Sequence, residues 1–362
     1  MRQQIYFLSE REKIMHMSLR KISVLIAFFT FVLCVPSAVC ETEIIKVASV
    51  MPEGSPWTNI LRMMADDVAE ETGGEVQLKI YAGGVSGDEC DVIRKMRVNR
   101  IQAAGFSGVG LGIIQPKIRI LEAPLLFRNV EEIDVVKEKL YDEFAKGFEE
   151  KGYVFLGYID GGFVYFFSKK NISEPGSLSD IRMWLWTGDK VAETFFDSFG
   201  IKTYPLHVAD VNTGLETGMI DSFYSVPVAA AAFQWYWRIK YMLDYPMVNS
   251  TGGFIMNKKV FNNLSEKNQK IIKQLTKKYC RQLVKLTRGS NKEARSILSE
   301  AGVKFVKPPE EQIRLFEENA AKAYESSIPD LYSREIFDRI KDVLKTFRAE
   351  HRVFDGKNHA VN

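Results

Sequence analysis

Apolar positions along this chain recur first at strand spacing, then at helix spacing, in alternation. Lys46 to Val50 reads as a short strand. Ser55 is set to cap a helix with Pro56 at its first position. Trp57, Leu61, Met64 and Val68 then return every three or four residues until Gly73-Gly74 ends the run. Val76, Leu78 and Ile80 alternate with polar neighbours as a second strand. Asp88 caps the next helix, with Val92 and Met96 on one face, and Ile101 to Ser107 is a strand of small residues. This order predicts a parallel sheet with helices on both faces.

A second set of units follows. Tyr153 to Ser168 is strand-like and long enough to pass from one sheet to another. Ile181 to Trp186 is a strand, and a helix from about Asp189 places Val191, Phe195 and Phe199 together before Gly200. A strand at Ile201–Tyr204, a helix at Asp210–Thr217 stopped by Gly218 and a strand at Met219–Ser225 complete the set. Gly252 to Asn257 reads as a return crossing, and Ser265 caps a long helix carrying Ile271, Leu275, Tyr279, Leu283 and Leu286. The expectation is a two-lobed α/β chain with crossing strands as its hinge and a long helix towards the C-terminus. Lobe I takes 41–165 and 252–310, lobe II takes 166–251, and 311–362 forms charged helices on the outside. Bending is expected near 162–168 and 249–254.

Residues 1–40 break the pattern. Arg20 and Lys21 precede an apolar run, Ile22 to Val35, shorter than the roughly 20 residues of a bilayer span. Pro36-Ser37 breaks the run, and Ala38-Val39-Cys40 has small residues where a signal peptidase reads. This predicts a signal peptide cleaved before Glu41, hence export, with translation starting at Met15 or Met17. The rival is a lipid anchor at Cys40, for which Ser37-Ala38-Val39 is a poor approach.

Export changes the charge picture. The segment removes five of 49 basic and two of 46 acidic residues, leaving 44 of each. A balanced chain lacks the basic face that a nucleic-acid partner needs. Cys90 and Cys280 form either one long-range disulfide or two separate thiols.

Catalytic chemistry has little to work with. There is no H-E-x-x-H or C-x-x-C, so no metal is expected. Gly105-Phe-Ser-Gly-Val109 misses the nucleophile elbow at its fifth position. Gly108-Val-Gly-Leu-Gly112 lacks the third glycine of a dinucleotide loop and opens no strongly helical segment. No cofactor is expected, and Asp160 reads as a solvated loop carboxylate. The chain reads as a non-enzymatic binding protein.

Three segments then carry a resemblance: Tyr81-Ala-Gly-Gly-Val-Ser-Gly-Asp88, Leu121-Glu-Ala-Pro-Leu-Leu-Phe127 and Leu215-Glu-Thr-Gly-Met-Ile-Asp221. In order and spacing, from about Ile45 to Glu310, the chain resembles the extracytoplasmic solute-binding subunits of TRAP (tripartite ATP-independent periplasmic) transporters. The resemblance implies a periplasmic-binding-protein-like fold that closes on a small molecule and delivers it to a membrane transporter. Common members of that family grip an organic acid with an arginine fork. Aligned to their pattern, Trp184 stands at the arginine, Arg182 at a preceding lysine, and Val164 at a second basic position. Trp184 and Trp186 share one strand face. The chain is most similar to the subgroup associated with tetratricopeptide-repeat proteins. That subgroup implies an apolar ligand and a tetratricopeptide partner.

Candidate ligand contacts are therefore Trp57, Ser107, Val164, Trp184, Trp186 and Tyr224. Trp184 and Trp186 have core packing as their bland alternative, and Ser107 has helix capping. Phe223 is expected in the core opposite Tyr224, while Trp235 and Trp237 are expected to bury the helix before the return crossing. The rivals are an acid receptor using Arg182 or Lys169, an enzyme on the same fold, and a purely protein-binding sensor.

Overall fold

A computed structural model describes residues 42–358, with side chains described through His351. The signal-peptide reading lies outside the described residues. Strand β1 (Glu43–Ala48) is followed by helix α1 (Pro56–Glu71), β2 (Val76–Tyr81), α2 (Glu89–Arg97), β3 (Ala103–Ser107) and α3 (Gly108–Ile114). A tight 3-10 turn, Pro116–Glu122, leads to α4 (Val130–Lys139), α5 (Tyr141–Glu150) and the long β4 (Tyr153–Ser168). Then come β5 (Arg182–Trp186), α6 (Lys190–Ser198), β6 (Lys202–Leu206), α7 (Val211–Thr217), β7 (Ser222–Ser225) and α8 (Pro227–Ala232). The chain continues with β8 (Tyr241–Leu243), β9 (Val248–Asn257), α9 (Lys258–Asn263), α10 (Glu266–Glu300), β10 (Lys304–Val306), α11 (Glu310–Ser327) and α12 (Arg334–Asn358).

The strands run in the order β2-β1-β3-β9-β4-β7-β5-β6. Within each half the βαβ units pair in parallel: β1 with β2 and β3, and β5 with β6 and β7. Between the halves, β4 and β9 lie antiparallel along almost their whole length, from Tyr153↔Asn257 to Val164↔Val248. Beyond that point β4 pairs with β7. Two register shifts interrupt β4, the second between Asp160 and Gly162, where Gly162 has φ +86°. Left-handed backbone there suits glycine and bends the strand as it changes sheet.

Helix α10 is the third element common to both halves. Its early residues Ile272, Leu275 and Leu283 pack in the core under β1, whereas Leu298 packs in the core under β5 and β7. Asp160 is buried on β4, at 1% exposure, where Arg288 of α10 reaches it at 2.9 Å. This corrects its reading as a solvated loop carboxylate: a buried carboxylate needs a charged partner, and α10 supplies one.

The C-terminal helices also differ from expectation. Phe316, Ala320 and Ala323 of α11 enter the core of the second half. Ile336, Ile340 and Leu344 of α12 enter that of the first. Strand β10 pairs with β8 of the second sheet, so Lys304–Val306 leaves the lobe in which the sequence grouped it. Charge was a poor guide because these helices are amphipathic.

Candidate functional site

Parallel strands leave their C-terminal ends open to ligands where a sheet changes direction. Here those ends converge. Ser49, Val50 and Met51 follow β1, Ser107 ends β3, Trp186 ends β5, Val208 follows β6, Ser225 ends β7 and Val226 follows it. All border one cavity of about 150 Å³. Trp57, Ser107, Val164, Trp184, Trp186 and Tyr224 all border it too.

Its second-half wall is aromatic. Trp184 lies against Tyr224 and Trp186 at ring separations of 5.3 and 6.0 Å, and meets Trp235 edge-on at 5.2 Å. Phe166, Phe195 and Phe196 extend the surface. Core and cleft are not alternatives for Trp184: it is 2% exposed, belongs to the second-half core and borders the cavity. Its indole N–H donates to the Leu206 carbonyl at 3.0 Å, so burial leaves that donor satisfied. Phe223 is in the core, beside Trp235. Trp235 is buried at the cavity, but Trp237 is 64% exposed, contrary to expectation. The tight turn at Trp235–Arg238 lets only the first tryptophan face inward.

The first-half wall is polar. Ser107 caps α3 by accepting the Val109 amide proton, and its hydroxyl donates to Glu89 at 2.7 Å. It therefore borders the cavity while its hydroxyl is engaged in the helix cap and with Glu89, so both alternatives for Ser107 meet in one residue. Glu89 also accepts from the amides of Ser107 and Gly110, each at 2.7 Å. The carboxylate thereby occupies the start of α3, where an anion could otherwise sit. Trp57 is half-buried and directs its indole N–H to Thr287 at 3.1 Å.

The residue that sequence reasoning missed is Arg119. It is 5% exposed, with Glu122 at 2.5 Å on one side and Asp189 at 2.5 Å on the other. Asp189 caps α6 through the Ala192 amide and accepts from the Tyr224 hydroxyl at 2.7 Å. Glu122 accepts from the Thr251 amide at 2.7 Å. The glycine-rich stretch that seemed a poor helix former is α3 because these side chains lie against it. A Cβ at Gly108 would collide with the Glu122 carboxylate, and one at Gly112 with the Arg119 side chain. An arginine three residues before a glutamate inside the apolar run from Ile118 was the available signal.

Arg182 lies elsewhere. It starts β5, four residues and roughly 13 Å before Trp186, with its side chain 46% exposed and paired with Asp221. Lys169 points to the Leu215 carbonyl. Neither borders the cavity, so an acid receptor built on them does not fit. Of the four cysteines in the chain, the two among the described residues, Cys90 and Cys280, are both free thiols.

Burial pushes Glu89 up to about 7, against the pull of the Ser107 and Gly110 donors. A raised folded-state value favours folding fully below the unfolded value of about 4.5, and the gain fades as pH rises through 7. Glu89 should therefore make the protein less stable at pH 8 than at pH 4.5 by about 3 kcal/mol. Denaturant titrations across this range should show a slope that Glu89→Gln reduces by that amount, since buried Glu122, also pushed up to about 7, adds its own share. An unchanged slope in that variant rules Glu89 out as its source.

Three comparisons bear on identity. A solute-binding protein of Chromohalobacter salexigens is 25% identical over 175 residues, 48% of this chain and 52% of that protein. The chain thus spans about half the length of that curated relative. The ectoine-binding periplasmic protein TeaA of Halomonas elongata is 23% identical over 292 residues, 77% of this chain and 84% of that protein. Among solved structures, a TRAP periplasmic solute-binding protein from Citrobacter koseri with bound D-glucuronate superposes with a TM-score of 0.77 at 21% identity. It covers 83% of this chain and 100% of its own. One from Ralstonia eutropha with bound (S)-2-acetolactate reaches 0.78 at 20% identity, covering 84% and 99%. These two likenesses speak for the two-lobed fold. The model of the DctP family, described as bacterial extracellular solute-binding protein, family 7, matches residues 47–330, and the chain belongs to that family.

Proposed function

We propose that this chain is the extracytoplasmic receptor of a TRAP-type membrane transporter, and that its cavity takes a neutral solute with a largely apolar body. The receptor role follows the family. The observation that favours a neutral ligand is the state of Arg119. Among the described residues it is the only basic one bordering the cavity, and it is already held between two carboxylates. An acid entering there would meet Glu89, Glu122 and Asp189 with no free cation among the described residues. Burying an unpaired carboxylate costs several kcal/mol. An aromatic wall instead gains about 25 cal/mol for each Å² of apolar ligand it covers. Lobe boundaries near 165 and 252, with bending at the β4 and β9 crossings, belong to this proposal. A tetratricopeptide-repeat protein as a further partner belongs to it too, on the subgroup resemblance alone.

A second reading has its own support. The structurally similar proteins from Citrobacter koseri and Ralstonia eutropha hold D-glucuronate and (S)-2-acetolactate. An acid could engage Arg119 here through Nη1, which makes no hydrogen bond although Glu122 pairs with it, or by displacing Glu122 or Asp189.

Native and denaturing mass spectra of never-unfolded protein, with extraction of what is released, separate the two. A neutral apolar molecule at near-stoichiometric amount is the expected result. A sugar acid in its place, or calorimetric binding of D-glucuronate at micromolar concentration, would overturn the neutral-solute reading and leave the receptor role intact.

A further inference from the structure

Asp88 does more than start α2. Its carboxylate accepts from the Glu89 amide at 2.6 Å, the expected capping bond. It also accepts from the Asp91 amide as half of a capping box, and its remaining bonds come from the second half of the molecule. The Trp186 indole N–H reaches its two oxygens at 3.1 and 3.2 Å, His207 Nδ1 lies 2.8 Å away, and the Val208 amide donates at 3.3 Å. The Asp88 side chain is 6% exposed although it stands at the rim between the halves. Helix capping alone would satisfy this carboxylate through its own α2. Three partners drawn from the ends of β5 and β6 have no role in that cap.

Trp186 connects this cluster to the cavity. Its ring stacks beside Trp184 on the cavity wall while its N–H is held by Asp88. A solute lying on that ring contacts a side chain whose orientation is fixed by the opposite half. Only when the halves meet are the wall and the Asp88 bond both complete.

Resting on the receptor reading above, we propose that Asp88 is a positioning residue that latches the halves together through Trp186, so that the aromatic wall is set only in the closed form. Opening the cleft breaks the bonds from Trp186, His207 and Val208 together and frees the indole to turn. The latch acts on the escape of solute rather than on its entry, because its bonds form after the halves have met.

The test uses the full mature chain and three variants. Asp88→Ala removes cap and latch. Asp88→Asn keeps a good cap, since asparagine serves as well as aspartate there. Trp186→Phe keeps the cap and an aromatic ring while losing the N–H. In protein as purified and never unfolded, with whatever solute it retains, hydrogen exchange at the Trp186 indole, followed by NMR, should be at least tenfold faster in Asp88→Ala than in the wild type. Equal rates overturn the latch. With indole as a neutral aromatic probe, Asp88→Asn should raise the dissociation rate about ten- to a hundredfold, the loss of a charge-assisted hydrogen bond, with association unchanged, whereas Trp186→Phe, which also alters the cavity wall, should change both rates. A lower melting temperature with unchanged dissociation also overturns it, since a purely structural cap would behave that way. If the wild type ignores indole yet shows the exchange difference, the neutral-solute reading fails and the latch stands.

Discussion

Arg119→Met is expected to lower the unfolding free energy by about 3–5 kcal/mol, read from urea titrations at pH 7. Among the described residues this side chain carries the only positive charge at the cavity, and its loss strands Glu122 and Asp189, each buried and facing the space it leaves. Burial already raises Glu122 above the ordinary carboxylate range despite the arginine beside it. Part of the charge would be shed by protonation, so the loss should be larger at pH 8 than at pH 5. The triple variant Arg119→Met, Glu122→Gln, Asp189→Asn removes the stranded charges while keeping a capping residue at the start of α6. It should recover most of the loss. A single variant as stable as the wild type would mean that the network is solvated in solution, and would remove the main physical objection to an acidic ligand.

Trp184→Ala should cost about 3–5 kcal/mol, the range for deleting a large buried aromatic. The ring touches Tyr224, Trp186 and Trp235, so truncation opens a hole, and it removes one of two donors to the Leu206 carbonyl, leaving the Thr187 amide. Trp184→Phe should cost much less, because it keeps most of the apolar volume. The solute retained on purification should shift towards larger molecules in the alanine variant, since the new hole joins a cavity of about 150 Å³. A loss below about 1 kcal/mol would contradict the burial on which its dual role rests.

Much of this architecture could be read from spacing. The cap at Ser55, the capping box begun by Asp88, the span of β4 and the start of the long helix at Ser265 all coincide with local chemistry. Side-chain alternation likewise separated Tyr224 from Phe223. The polar wall was illegible for a physical reason. Arg119 and Asp189 are 70 residues apart, and nothing local in either segment marks a partner. Their pairing exists only after the two halves of the molecule have been brought together. The helical form of the stretch after Ser107 was hidden for the same reason: glycine's poor intrinsic propensity is overridden by side chains arriving from Glu122 and Arg119. Helix α12 shows a third kind of loss. Its charged surface was visible, but its docking against the first half depends on the path of the chain after β10.

The placement of the tryptophans has a practical consequence. Of the five in the chain, Trp57, Trp184, Trp186 and Trp235 border the cavity, and only Trp237 stands in solvent. The molecule therefore carries its own optical gauge. Intrinsic emission from the four cavity indoles should change when a solute displaces water from their faces, and the close pair Trp184–Trp186 should give a coupled near-ultraviolet dichroism band. Trp237→Phe would remove the solvent-facing background while leaving every cavity indole in place. Candidate solutes of any chemistry could then be screened on unlabelled protein, because the signal comes from the walls that receive them.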